Sequence, residues 1–171
     1  TSLITLDATN GDLTLTSGGY SLNNLLFKNT GSTARTITLG SGTLTFNGYF
    51  YVQAGGTGDM TVTAATNNPT INITGMLDYT GTGTGTESIS MGNGTWTVGG
   101  NVIFTDGTVT AGNSTLVMSG TGGGIVGGGQ TLNNVTISTT TIGISGDTTI
   151  GGTLTIDSGR TLNINENYTC L

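Results

Sequence analysis

The ionisable side chains set narrow limits on what chemistry this chain can do. It has nine carboxylates (Asp7, Asp12, Asp59, Asp78, Glu87, Asp106, Asp147, Asp157, Glu166), three cations (Lys28, Arg35, Arg160) and no histidine. Without an imidazole, Ser-His-Asp and Cys-His nucleophile systems cannot be assembled, and His-based metal sites are excluded. Two carboxylates alone can still cleave a glycosidic bond, one as acid and the other as base or nucleophile. The candidate pairs are Asp106 with Asp147 and Asp147 with Asp157. All three sit in turn phrases (Asp106-Gly107, Gly146-Asp147, Asp157-Ser158-Gly159), where an Asp side chain bonds its own backbone. Turn stabilisation is therefore expected of them, no residue is assigned a catalytic role, and the chain is expected not to be an enzyme.

Other constellations point the same way. Gly55-Gly56-Thr57-Gly58-Asp59 approaches a calcium-binding Gly-Gly-x-Gly-x-Asp phrase, but its Asp stands one position early and the phrase does not recur. No metal or cofactor is expected. Thr-x-Thr pairs at 14, 36, 43, 61, 95, 108 and 153 invite an ice-binding reading, which needs one pair per coil at constant spacing. These intervals are irregular, which argues against it. Trp96 and the run Tyr49-Phe50-Tyr51 could offer sugar-stacking rings, although alternation must bury either Phe50 or its two neighbours, and core packing is expected. Asn-x-Ser/Thr patterns at Asn72, Asn93, Asn113, Asn134 and Asn167 match chance in a chain so rich in these residues. Cys170 is the single cysteine, so an intrachain disulfide framework is excluded; an incidental thiol and an intermolecular bridge both remain open.

A net charge of −6 with three cations excludes nucleic acid as a partner and disfavours anionic membranes. No apolar run approaches a membrane span, and no signal-peptide pattern is present. The first residue, Thr1, suits a processed secreted protein or a piece of a longer one.

The elements that must carry these residues are short strands. The phrase Gly-Thr-apolar-Thr-apolar occurs at Gly42–Phe46, Gly94–Val98, Gly107–Ala111 and Gly152–Ile156, placing apolar residues on one side and Thr on the other. With 32 Gly and only 7% charged residues, helix signals are scarce. Predicted strands include Arg35–Leu39, Thr43–Phe46, Met60–Ala64, Thr95–Val98, Thr115–Met118, Leu132–Ile137 and Thr161–Ile164, divided by turns at Asn47-Gly48, Gly99-Gly100 and Asp106-Gly107. The segment Gly18-Gly19-Tyr20-Ser21-Leu22-Asn23-Asn24-Leu25 is echoed by Gly128-Gly129-Gln130-Thr131-Leu132-Asn133-Asn134-Val135, and both copies read as strands whose Asn amides bond their equivalents one rung away. Gly81–Thr86 is expected to bulge outward, and Gly122–Gly129 to form a wide turn.

Short strands with small-residue bends favour an all-β β-solenoid (parallel β-helix) over a sandwich. Residues 1–171 are read as one solenoid domain, or a segment of a longer array, with irregular coil lengths. Three strands and roughly 20–25 residues per coil give about seven coils and a rod of roughly 35 Å.

Gly99-Gly100-Asn101-Val102, the stretch from Gly128 to Val135 and Gly151-Gly152-Thr153-Leu154-Thr155-Ile156-Asp157-Ser158-Gly159 resemble repeat stretches of bacterial, archaeal and phage surface β-solenoids, a group that includes adhesin-like and autotransporter-like passenger regions. The resemblance covers most of the chain. It implies an elongated protein working outside the cell or on a cell or virion surface. Leu3, Ile4 and Leu6 look ready to pair, so homo-oligomerisation by end-to-end strand pairing, or continuation into flanking coils, is expected. The alternative classes are an adhesin or tail-fibre module that binds a glycan or receptor, a carbohydrate-active β-helix and an ice-binding protein.

Overall fold

Thr-apolar-Thr-apolar is the pattern of a strand with one wet and one buried side, and the chain folds into little else. A computed structural model describes residues 2–79 and 81–164, together with the backbone of 168–170. The first turn holds β1 (Leu3–Asp7), β2 (Leu13–Leu15) and β3 (Ser21–Leu22), and the second β4 (Asn24–Asn29), β5 (Arg35–Leu39) and β6 (Thr43–Phe46). The third holds β7 (Phe50–Ala54), β8 (Met60–Thr63) and β9 (Thr70–Ile73), the fourth β10 (Leu77–Tyr79), β11 (Glu87–Ser90) and β12 (Thr95–Val98). The fifth holds β13 (Val102–Ile103), β14 (Gly107–Thr110) and β15 (Thr115–Met118), the sixth β16 (Gly124–Val126), β17 (Thr131–Leu132) and β18 (Asn134–Ile137). The seventh holds β19 (Thr141–Ser145), β20 (Thr148–Ile150) and β21 (Leu154–Ile156), and β22 (Thr161–Ile164) and β23 (Tyr168–Cys170) begin an eighth.

Strands three apart in the chain pair in parallel. The first face is the 8-stranded sheet from β1 to β22, and the third is the 7-stranded sheet from β3 to β21. The second face is 5-stranded from β2 to β14 and resumes as the 3-stranded sheet β17-β20-β23. The fold is an all-β parallel β-solenoid, and eight rungs at about 4.8 Å span roughly 34 Å.

Coil length varies as expected. Hydrogen-bonded neighbours on successive rungs lie 21 residues apart at Thr9 and Thr30, 24 at Asp12 and Thr36, 25 at Asn24 and Tyr49, and 27 at Asp59 and Thr86. The interval then falls to 20 at Asn93 and Asn113 and 19 at Asn134 and Thr153. The core follows the perimeter. The wider turns are filled by Phe27, Phe46, Phe50 and Trp96, with Phe50 in ring contact with the other three at 4.6, 5.1 and 5.8 Å. The narrow turns are filled by Ile, Leu and Val, such as Ile125, Val135, Ile142 and Ile150.

The corners absorb the length differences. Asn68, Gly92 and Gly112 occupy successive turns at the second-to-third corner, all with left-handed backbone (φ 47, 69 and 60). Asn tolerates this region better than most side chains. Beside them, the Asn68 side chain accepts the Asn93 N–H at 2.7 Å, and the Asn93 side chain accepts the Asn113 N–H at 3.4 Å.

The two copies of the Leu-Asn-Asn phrase each bend at the first Asn instead of running through as one strand. Asn23 turns the chain from third face to first, whereas Asn133 turns it from second to third. The phrase encodes a corner, whichever corner is needed. Its Asn side chains bond backbone rather than one another: Asn24 accepts the Tyr49 N–H and Asn134 the Thr153 N–H, both at 2.9 Å.

Two loop expectations are corrected. Gly122–Gly129 contains β16, because Ile125 is buried between the flanking first-face strands. Gly81–Thr86 does not bulge freely. Gly83 N–H bonds Ala54 O at 3.0 Å and Thr84 N–H bonds Gly56 O at 2.9 Å, seating the loop on the one below.

Between β14 and β17 the second face has no backbone ladder. The Gln130 side chain fills the gap as a stand-in peptide: its Oε1 accepts the Val109 N–H at 2.9 Å and its Nε2 donates to Gly107 O at 2.8 Å.

Candidate functional site

The solenoid separates the carboxylates that the sequence offers as pairs. Asp106 lies between β13 and β14 and Asp147 between β19 and β20, on the same edge but two turns apart, on the order of 10 Å by rung spacing. Asp157 follows β21 at the third-to-first corner, where it accepts the Ser138 hydroxyl at 2.7 Å. The carboxylates that do interact are others. Glu87 is 2% exposed, takes the Ala54 N–H at 2.8 Å and packs against Gly81. Burial pushes its carboxyl above the usual range, and the nearby negative charges of Asp106 and Asp59 push the same way. Burial also raises Asp78, with Asp106 adding to it. Glu87 was legible as an inward residue, since it shares parity with Ile89 and pairs with Met60 on the rung below. Closed from solvent, its carboxylate is spent on the Ala54 N–H inside the wall of the solenoid.

The calcium-like phrase has a structural explanation. A Cβ on Gly56 would lie 2.3 Å from Gly31 O, and one on Gly58 would lie 2.4 Å from Thr33 O, so stacking on the loop below requires glycine. Asp59 Oδ1 accepts the Thr86 N–H at 2.9 Å and its hydroxyl at 2.7 Å, which holds the Asp59 carboxyl below its ordinary range. Among the described residues, no group of three or more His, Cys, Asp or Glu is placed to hold a metal.

Of the aromatic candidates, Trp96 is buried and donates its Nε1–H to Met91 O at 3.0 Å. Phe50 points inward, which turns Tyr49 and Tyr51 outward on the first face. Their rings lie 5.3 Å apart at 31°, and Tyr49 is 43% exposed. Leu26 and Asp78 flank Tyr51 in register, and the Tyr51 hydroxyl donates to Met76 Sδ at 3.6 Å.

The other two faces are chemically different. On the second, the outward residues form two columns, Thr14–Thr38–Thr63–Ser90–Thr110 and Thr36–Thr61–Ser88–Thr108, all nine of them hydroxyl-bearing. On the third, Thr45, Asn72, Thr97, Val117, Thr136 and Thr155 form one column, beside a second that includes Thr43, Thr70, Thr115 and Asn134. An open groove of about 470 Å³, lined by Asn72, Thr74, Thr97, Ser119 and Thr121, marks its edge. The Gly-Thr phrases at 42, 94 and 152 lie on the third face and that at 107 on the second, which explains their unequal spacing.

The ends are open. Ile4, Leu13, Ile156 and Ile164 pair in register with the buried Leu25, Ile37, Ile137 and Ile144, so they face the core. They are nonetheless 41%, 37%, 45% and 50% exposed, with no strand among the described residues stacked on their outer side. The side chain of Cys170, and Asn167, lie outside the described residues. No helix among those described is long and apolar enough to cross a membrane. Comparison with protein-family models, curated proteins and solved structures finds no match.

Proposed function

We propose that this chain is a non-enzymatic structural β-solenoid rod working outside the cell or on a virion surface. Its terminal turns are covered by another solenoid turn, supplied by a second copy or by flanking coils. The observation that carries this reading is the exposure of core-facing Ile4 and Leu13 at one end and Ile156 and Ile164 at the other. Exposed apolar side chains beside unpaired strand edges are an association surface. The perimeters at the two ends are also closer to each other than to the middle: the rung interval is 21–24 residues in the first turn and 19–20 in the last, against 27 between. Electron microscopy and sedimentation of the chain test the reading. Concentration-dependent rods or filaments are expected, and Ile4→Lys or Ile156→Lys should disperse them. Monomers alone at high concentration would overturn it.

A second reading, glycan binding, rests on the outward Tyr49–Tyr51 pair with Asp78 beside it. Aromatic faces with nearby polar groups suit sugar rings. Glycan-array signal lost on Tyr49→Ala and Tyr51→Ala, with the melting curve unchanged, would support it; no signal from the parent would exclude it.

A further inference from the structure

Register converts an irregular sequence pattern into a regular surface. Thr14, Thr38, Thr63, Ser90 and Thr110 are unevenly spaced along the chain, yet each stands one rung from the next, because the corners take up every difference. Of the Thr-x-Thr pairs, those at 36, 61 and 108 fall in register on this face with Ser88 and Ser90 on the rung between, whereas those at 43, 95 and 153 belong to the third face. We propose that the second face from β2 to β14 binds ice, its ligand being a plane of crystalline water.

Three observations carry this. The first is geometric: within a strand the outward groups repeat at about 6.6 Å and between strands at about 4.8 Å. These two perpendicular repeats lie close to those of oxygen atoms on a face of hexagonal ice. The second is chemical. Seven of the nine outward groups are Thr, each pairing a hydroxyl that can anchor a lattice water with a methyl whose hydration restrains first-shell water. The nine positions carry no charged side chain; the carboxylate in line with them is Asp12, one rung beyond Thr36, where it accepts the Thr36 N–H at 2.9 Å. Composition alone does not force this, because the first face places Leu26, Tyr51, Asp78 and Ile103 at its corresponding positions. The third face, also Thr-rich, is interrupted by Asn72 and Val117 and carries the groove. The third observation is preorganisation. β-Branched Thr has few rotamers on a strand, and the hydroxyls of Thr61 and Ser88 already bond one another at 2.8 Å along a column. Many weak contacts can then act together with little ordering cost.

The test is ice-crystal morphology and the gap between melting and freezing temperature, measured on the 171-residue chain. The parent is expected to facet growing crystals and open a gap. Thr63→Lys, in the middle of the array, should abolish both, and Thr97→Lys, at an equivalent strand position on the third face, should abolish neither. Ser90→Thr, which completes a column with a methyl, should widen the gap. Circular dichroism melts establish that each variant is folded. Unfaceted crystals with the parent, or equal responses to Thr63→Lys and Thr97→Lys, would overturn the proposal.

Discussion

The joint between β14 and β17 makes the most demanding prediction. There the second face is held by one side chain, since Gln130 accepts from Val109 N–H at 2.9 Å and donates to Gly107 O at 2.8 Å. Gln130→Ala deletes both bonds and leaves two backbone groups of β14 without protein partners. At about 1 kcal/mol net per bond, and with some solvent access, the cost is about 2 kcal/mol. Gln130→Glu is more discriminating. One carboxylate oxygen can keep the Val109 N–H, but the other would oppose the Gly107 carbonyl, so only the protonated acid restores both bonds. The introduced carboxyl therefore has a raised pKa in the folded state. Its contribution is complete below the unfolded value of about 4.3 and is lost as pH rises through the folded value. Relative to the parent, Gln130→Glu should be about 1–2 kcal/mol less stable at neutral pH and recover much of that on acidification. Urea unfolding at several pH values measures the difference, and hydrogen exchange at the Val109 amide reports the joint itself. If Gln130→Ala unfolds within about 0.3 kcal/mol of the parent, or if the Gln130→Glu penalty does not change with pH, the bridging role is refuted.

Gly56→Ala should cost about 1–3 kcal/mol or more, since its Cβ would meet Gly31 O at 2.3 Å. Gly11→Ala, with no atom within 4 Å of the added Cβ, should be neutral or mildly stabilising; equal melting shifts would show that stacking does not dictate glycine. Phe50→Ala empties the centre of the aromatic cluster and should cost about 3–5 kcal/mol by denaturant unfolding. Glu87→Gln keeps an acceptor for the Ala54 N–H while removing a carboxylate that burial disfavours. Because the Glu87 carboxyl is raised on folding, its stabilising share is complete at low pH and is lost as pH rises through its folded value. The variant should thus gain on the parent as pH increases, and a gap that stays constant with pH would contradict the assignment.

Strand identity was legible wherever alternation was unbroken: Arg35–Leu39, Thr43–Phe46, Thr95–Val98, Thr115–Met118 and Thr161–Ile164 form as read. The solenoid followed from their shortness and number. What alternation could not reveal was which face each strand would join. Face assignment depends on how many residues the preceding corner consumes, and that number changes from turn to turn. The same blindness mixed Thr pairs of two faces into one uneven series: those at 36, 61 and 108 align on the second face, those at 43, 95 and 153 belong to the third. Strands too short or glycine-rich to show a period, β10 and β16, were missed because neighbouring rungs on both sides impose them. Asp106 and Asp147 were plausible partners only while the number of turns between them was unknown.

The division of labour between ladders and corners also bears on how such a chain can change. An inserted residue within a strand reverses which side chains face the core, a penalty felt along the whole rung. An insertion at a corner alters only the perimeter of one turn, as the intervals of 18 to 27 residues already show. Length can thus drift, duplicate or accept foreign segments at the corners while the spacing of the faces stays constant. The rod behaves as a ruler whose graduations are fixed by hydrogen bonds and whose edges are free to evolve.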